Sequence, residues 1–265
     1  MQFYRRLTTI KAISFDLDDT LYNNRPVMLA IEKQMVHYFT EKFATLLPEL
    51  VADQAPEPKQ IFNRRFWAPY RQQAIATTPE LAHDVVRVRY ETYRLGLLAH
   101  SIAAVEAVKE AQAGLDYFIS LRSDFIVPKA SHGLLAALSK KYPLVAISNG
   151  NVDTKALGID HYFQHIYHAG FQTGYGDDKS EHLLRQKPAP DMFTLVCAQL
   201  AIPAEQLLHV GDCGFADIHG ALNAGCQTAW LPQYGVGKAL RQIPHIELVQ
   251  VSELSQLLLK KPLSL

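Results

Sequence analysis

The run Phe15-Asp16-Leu17-Asp18-Asp19-Thr20 decides how this chain is read. Before it stands Lys11-Ala12-Ile13-Ser14-Phe15, whose β-branched and aromatic residues predict a short buried strand. Three carboxylates then crowd the end of that strand. Burying them unpaired is costly, and like charges so close repel each other. A hard cation such as Mg²⁺ relieves both problems, because the ligands on offer are all oxygen. Strand alternation predicts Asp16 and Asp18 on one side, where one can attack as a nucleophile while the other moves protons. The competing reading is an acidic turn in which Asp18 or Asp19 caps a helix.

Working outward, the 265 residues give room for one large domain or for a core domain with an insert. Lys+Arg and Asp+Glu both total 26, so the net charge points neither to nucleic acid nor to an anionic membrane surface. Cys197, Cys213 and Cys226 are odd in number and form no CxxC pair, which argues against a disulfide framework or a zinc site and suits a reducing cytoplasm. Met1 to Arg6 leads directly into the first strand without room for a signal peptide. No apolar run is long enough to cross a bilayer. The expectation is a soluble cytoplasmic protein, its oligomeric state left open with a monomer as one option.

Downstream of Thr20, Asn23-Asn24-Arg25-Pro26 reads as a turn that places Pro26 at a helix start. Apolar residues at helical spacing predict helices from Val27 to Leu47, from Lys59 to Trp67, from an opening at Pro79-Glu80-Leu81 towards Leu98, and from a Ser101 cap to Leu121. A Pro-rich piece, Ala55 to Pro58, links the first two, and Pro69 and Pro79 punctuate the residues beyond Trp67. A crossover between parallel strands needs far fewer residues than this. Residues 23–122 are therefore expected to form an inserted helical domain, with 1–22 and 123–265 forming an α/β core.

In that core a helix is expected over Ser131 to Lys141 and strands over Pro143–Ser148, Phe163–His168, Gln206–Asp212 and Thr228–Leu231. A helix from Asp217 to Ala224 and a terminal helix after Val251 complete the pattern. Such alternation predicts a doubly wound parallel sheet, with ligands bound outside the carboxyl ends of its strands. The informative residues fall there. Ser148-Asn149-Gly150 offers a hydroxyl, an amide and backbone N–H groups suited to phosphate oxygens, although the tripeptide is also an ordinary turn. Lys187 precedes a proline-stiffened helix start at Asp191, and Gly211-Asp212 with Asp217 supplies a second carboxylate pair. Each alone reads equally well as a turn, a surface lysine or a helix cap. Their shared placement at the ends of separate strands is what those bland readings do not require.

These residues resemble, in order, the four motifs of the haloacid-dehalogenase superfamily: Asp16 to Thr20, Ser148, Lys187, and Gly211-Asp212 with Asp217. The insert resembles that superfamily's type 1 helical cap. Phe3-Tyr4-Arg5, Asp16 to Tyr22 with Asn24-Arg25-Pro26, and Pro143 to Asn151 are closer still to the YigB-type bacterial phosphatases, which act on FMN and on the phosphorylated ribitylaminouracil precursor of riboflavin. The resemblance implies a phosphatase in which Asp16 is the nucleophile and Asp18 the general acid/base, protonated for the first step. It implies Mg²⁺ held by Asp16, Asp18 through its backbone carbonyl, and Asp212, with Asp217 in support. Ser148, Asn149 and Lys187 would hold the transferring phosphate, and Thr20 would brace the first loop. Dehalogenation needs no acid at position 18, so Asp18 argues for phosphate. The implied substrate is a small phosphorylated metabolite. The alternatives are another such metabolite, for instance a sugar phosphate or phosphoglycolate, or a phospho-accepting regulatory module, which would need neither Asp18 nor a large insert.

Three further expectations concern surroundings. Arg87, Tyr90 and Arg94 share a helix face that could stack on a flavin or uracil ring, the competing reading being a solvated face with the tyrosines in the insert's own core. The polar stretch Gln172 to Gln186 reads as a loop or a flap. Cys213 reads as filler beside a metal ligand, and the eleven histidines as surface or packing residues.

Overall fold

The computed structural model describes residues 1–43, 61–173 and 181–259. The chain divides into two compact units, Met1–Arg25 with Phe125–Leu265, and Pro26–Asp124. The first is built on a seven-stranded sheet of β1 (Gln2–Phe3), β2 (Ala12–Phe15), β3 (Leu144–Ser148), β4 (His165–His168), β7 (Leu207–Gly211), β8 (Gln227–Trp230) and β9 (Ile246–Glu247), ordered β1-β9-β8-β7-β2-β3-β4. Every pairing is parallel except β1 with β9.

The central strands read as apolar runs because both of their faces are covered. Ile13, Phe15, Ala146 and Val210 face Leu134, Leu135 and Leu138 of helix α5 (Lys129–Leu138) and Leu254 of α8 (Ser252–Leu259). Ala12, Val145, Ile147 and Leu207 face Met192, Phe193 and Val196 of α6 (Asp191–Gln199). Because β2 lies between β3 and β7, the carboxyl ends of those three strands adjoin. Phe15 pairs with Ala146 on one side and Val210 on the other.

Two features of this unit went unread in the sequence. The two-residue strands β1 and β9 are too short for alternation to register. The stretch expected as a loop over 172–186 instead contributes to an antiparallel ribbon, β5 (Gly170–Thr173) with β6 (Glu181–Leu184); Gly174 to Ser180 lie outside the described residues. The helix expected from Asp217 starts earlier, as a π-helical turn over Gly214–His219 that runs into the short α7 (Gly220–Asn223).

The second unit is helical throughout its described residues: most of α1 (Asn24–Phe43), then α2 (Arg64–Thr77), α3 (Val85–Ala99) and α4 (Ala104–Arg122). Its core is aromatic, with Phe39 packed on Trp67 and Tyr93 at centroid separations of 4.9 and 4.8 Å. Element ends differ from the sequence expectations for local reasons. Pro26 is the third residue of α1 rather than its first, and Pro69 lies inside α2 rather than breaking it. Asp84, not Pro79, opens α3, its carboxylate accepting from the Val86 and Arg87 N–H groups. Ser101 does not cap α4; it sits in a left-handed turn (φ 63°), and the helix begins after Ala103. The expected end of the first helix near Leu47, the Pro-rich link and the start at Lys59 fall outside the described residues.

Candidate active site

The carboxyl ends of β2, β3 and β7 surround a cavity of about 240 Å³, with Asp16, Asp18, Ser148, Lys187, Asp212 and Asp217 in its wall. Asn149 lines it too. Strand alternation is not what aligns Asp16 with Asp18, because β2 ends at Phe15. The chain turns instead: Leu17 C=O accepts from the N–H groups of both Thr20 and Leu21, and Asp19 takes a left-handed φ of 57°. Asp19 Oδ1 then accepts from Asn24 N–H at 2.9 Å, at the start of α1. Thr20 is buried, its hydroxyl 3.5 Å from Asp16 Oδ2, and its carbonyl accepts from Gln233 Nε2 at 2.9 Å. Tyr22, buried, donates its hydroxyl to Asp18 Oδ1 at 2.8 Å.

Lys187 is the hub of the site. Its buried Nζ donates to Asp16 Oδ1 at 2.8 Å, Asp217 Oδ1 at 2.7 Å and Ile147 C=O at 2.7 Å. Burial alone would discharge this ammonium, but Asp16 and Asp217 outweigh it and lift its pKa above the ordinary lysine value. The Asn149 carboxamide fixes the Lys187 backbone from both sides, accepting from its N–H at 2.8 Å and donating to its C=O at 3.0 Å. The Asn149 carboxamide, read in the sequence as a phosphate ligand, is thus engaged by the Lys187 backbone instead. Ser148 Oγ accepts from Gly150 N–H at 3.0 Å, and His168 Nδ1–H donates to Gly150 C=O at 2.9 Å, pinning the turn.

Asp217 takes three donors. Oδ1 accepts from Lys187 and from His209 Nε2 at 3.2 Å, while Oδ2 accepts from Cys213 N–H at 2.9 Å. Burial pushes this carboxyl up, yet Lys187 and His209 prevail and hold it well below the usual range. Gly211 must lack a side chain here, since a Cβ would lie 2.3 Å from Asp217 Cγ. Cys213 is more than filler, its Sγ accepting from Ala216 N–H at 3.4 Å to cap the π-helical turn.

Asp16, Asp212 and Asp217 each place a carboxylate oxygen within 4.8 Å of the others. Three carboxylates against one ammonium leave about two negative charges. The electrostatics register the excess: burial, reinforced by Asp217 and Asp212, raises Asp16 well above its ordinary value, and burial with Asp217 and Asp19 pushes Asp212 up to about 7. An all-oxygen set short of two positive charges fits a hard divalent cation such as Mg²⁺. With Asp217 occupied by three donors, Asp16 and Asp212 are the carboxylates suited to ligation.

Of the residues singled out in the sequence, Asp16, Asp18, Thr20, Ser148, Asn149, Lys187, Asp212 and Asp217 are brought together in the first unit. Arg87, Tyr90 and Arg94 belong to the second. Arg87 Nε lies 3.6 Å from Asp84, Arg94 is bonded to Glu91 at 2.7 Å, and Tyr90 packs against that unit's aromatic core. Sequence reading missed His209, Tyr22 and Gly237, the last a cavity-lining glycine so close to Asp212 that a Cβ would lie 2.6 Å from its Oδ2. His209 carried a signal, a histidine inside the apolar run Leu207-Leu208-His209-Val210 and three residues before Asp212.

A doubly wound parallel sheet with carboxylates and a buried lysine gathered where its central strands end places this chain among the α/β enzymes. Residues 10–225 match the family model described as haloacid dehalogenase-like hydrolase, and the chain belongs to that family. It is 35% identical over 97% of its length to the whole of the 5-amino-6-(5-phospho-D-ribitylamino)uracil phosphatase YigB of Escherichia coli strain K12. It is 28% identical to the N-acylneuraminate-9-phosphatase of Mus musculus, over 95% of each chain. A solved 2-haloacid dehalogenase from Pseudomonas syringae pv. Tomato DC3000 superposes with a TM-score of 0.76 at 25% identity, covering 95% of this chain and 99% of that one. No described helix is long and apolar enough to cross a membrane.

Proposed function

We propose that this hydrolase is a Mg²⁺-dependent phosphomonoesterase that works through an aspartyl-phosphate on Asp16. The observation that carries the reading is Asp18. A second carboxyl group, held by Tyr22 at 2.8 Å, lines the same cavity as Asp16, Ser148 and Lys187. A dehalogenase would have no use for an acid there, whereas a phosphate ester needs one for its leaving oxygen.

In this account an Asp16 carboxylate oxygen attacks phosphorus, and Asp18 gives its proton to the departing ester oxygen. Asp18 then takes a proton from the water that attacks the phosphoryl-aspartate, releasing phosphate and regenerating Asp16. Ser148 Oγ and the Asn149 backbone would hold the equatorial oxygens as charge spreads over them, and Lys187, its three N–H groups already given to Asp16, Asp217 and Ile147 C=O, would add its positive charge beside them. Mg²⁺, bound by Asp16 and Asp212 with the Asp18 backbone carbonyl, would supply the positive charge that lets a carboxylate approach a phosphate dianion. Asp217 supports the site by anchoring Lys187, and Thr20 by bracing the first loop.

The substrate we favour is a small phosphorylated metabolite of the flavin pathway, FMN or the phosphorylated ribitylaminouracil. Support comes from the 35% identity to an enzyme named for the latter, sustained over nearly the whole of both chains. The 28% identity to N-acylneuraminate-9-phosphatase favours a sugar phosphate as the second reading. Residues 23–122 would serve as a cap that selects between such substrates, with Arg87, Tyr90 and Arg94 as ring-recognition residues. Three free thiols suit a reducing cytoplasm. The test is steady-state kinetics on a panel of phosphorylated metabolites with and without Mg²⁺. The highest kcat/KM is expected for flavin-pathway phosphates, with activity abolished by EDTA and restored by Mg²⁺. Preference for sugar phosphates would reject the flavin assignment, and full activity after exhaustive chelation would reject the metal.

A further inference from the structure

Behind the cavity lies a buried polar chain in which every link is a hydrogen bond. Ser14 and His209 are cross-strand partners on β2 and β7, and both are fully buried. Alternation places them on the sheet face that carries Ala12, Val145, Ile147 and Leu207, where apolar side chains pack against α6. Phe193 of α6 meets the His209 ring edge-on at 4.9 Å. Two polar residues in such a layer cost stability unless they are fully bonded. They are: Ser14 Oγ lies 2.9 Å from His209 Nδ1, and His209 Nε2 lies 3.2 Å from Asp217 Oδ1. The same Asp217 oxygen takes the Lys187 ammonium, which reaches on to Asp16.

The chemistry of the ends orients the middle. An ionised Asp217 only accepts, so His209 Nε2 carries the proton. A neutral ring then presents a bare Nδ1, which the Ser14 hydroxyl fills by donating to it. With the proton on Nδ1 instead, two lone pairs would face each other across the Asp217 contact.

We propose that Ser14 and His209 are positioning residues, Ser14 fixing the Nε2–H form of the ring and that proton fixing Asp217. Asp217 in turn sets Lys187 against the nucleophile Asp16. Neither residue touches substrate. This inference rests on the phosphatase reading for its kinetic consequence but not for the state of the ring.

The test uses the full chain with His209→Leu, His209→Gln and Ser14→Ala. Leucine fills the apolar layer without a donor, whereas glutamine returns an N–H close to the position of Nε2. Loss of an outer partner of this kind costs about ten- to a hundredfold. His209→Leu should lower kcat on p-nitrophenyl phosphate by that factor with KM nearly unchanged, and, by leaving the Ser14 hydroxyl without its acceptor, should lower the melting temperature while the protein still folds. His209→Gln should recover most of the loss, and Ser14→Ala should fall between. Histidine-selective ¹⁵N spectra of the resting protein, assigned by the signal lost in His209→Gln, should show Nε2 protonated and Nδ1 bare. In Ser14→Ala that preference should weaken. A folded His209→Leu enzyme within twofold of wild-type kcat would overturn the proposal. So would a wild-type ring protonated at Nδ1, which is read whether or not the protein hydrolyses phosphate esters. Should His209→Leu fail to fold, Ser14→Ala decides alone: wild-type kcat with an unchanged ring would overturn the proposal.

Discussion

Replacing Lys187 with methionine keeps an unbranched side chain of similar length but removes the ammonium that bridges Asp16, Asp217 and Ile147 C=O at 2.7–2.8 Å. Asp217 is 1% exposed and Asp16 8%, so water cannot replace the lost charge. Removing one partner of a buried ion pair costs about 3–5 kcal/mol, chiefly because the other charge is left uncompensated. Against a total stability of roughly 5–15 kcal/mol this is a large fraction. The loss should depend on pH. In the wild type, Asp217 has a depressed pKa, so its contribution is present above the ordinary carboxyl value and lost as pH falls through its folded pKa. In the variant, burial without Lys187 raises the Asp217 pKa and lifts that of Asp16 further above its already raised wild-type value. The folded variant then binds protons that its unfolded chain releases, and its stability falls as pH rises above the ordinary carboxyl range. The deficit should therefore be largest near neutrality and shrink on acidification. Trp230, whose Nε1 donates to Asp212 C=O, reports on the first unit in urea once Trp67 is changed to Phe in both proteins. Measurements in EDTA avoid stabilisation by bound cation. A deficit below about 1 kcal/mol, or one equal at acid and neutral pH, would refute the claim that Lys187 is the electrostatic hub.

The same geometry carries three other expected outcomes. Gly237→Ala would place a Cβ 2.5 Å from Asp212 C=O and 2.6 Å from Asp212 Oδ2, so the Mg²⁺ needed for half-maximal activity should rise sharply with little change in melting temperature; an unchanged Mg²⁺ titration would count against Asp212 as a ligand. Asp18→Asn should cost about 10² to 10⁴ in rate on an alkyl phosphate, and distinctly less in the phosphorylation step with p-nitrophenyl phosphate, whose leaving group needs little protonation. Equal single-turnover losses on both substrates would remove Asp18 from the acid role. Arg185 clasps Asp191 through Nε and Nη2 at 2.9 and 2.7 Å and lowers its pKa, so Asp191→Asn should lower the melting temperature at pH 7 and lose that effect as pH falls through the depressed carboxyl value; a pH-independent shift would contradict it.

The sequence made the site legible because catalytic groups in a doubly wound sheet gather at strand ends, which punctuation and apolar runs mark well. Asp16, Ser148 and Asp212 each follow an apolar run directly, and the sheet brings them to one cavity. What stayed hidden depended on contacts across the chain. Asn149 looked like a phosphate ligand because its partner, the Lys187 backbone, lies 38 residues away. Ser14 and His209 are 195 residues apart and acquire meaning only from strand register. Gly237 is an ordinary loop glycine until Asp212 is seen against it. Helix starts erred for a local reason: Pro79 suits a first helical turn and opens only a 3₁₀ turn to His83, after which Asp84 starts α3, while the left-handed turn at Ser101 keeps that serine from capping α4.

The central claim is that Asp16 itself forms the bond to phosphorus. Asp16→Asn preserves shape and loses one charge and the nucleophilic oxygen, and its kcat on p-nitrophenyl phosphate with saturating Mg²⁺ tests that claim most directly. With circular dichroism unchanged, kcat should fall by about 10³-fold or more. A folded Asp16→Asn protein that keeps kcat within about tenfold of wild type would contradict the account.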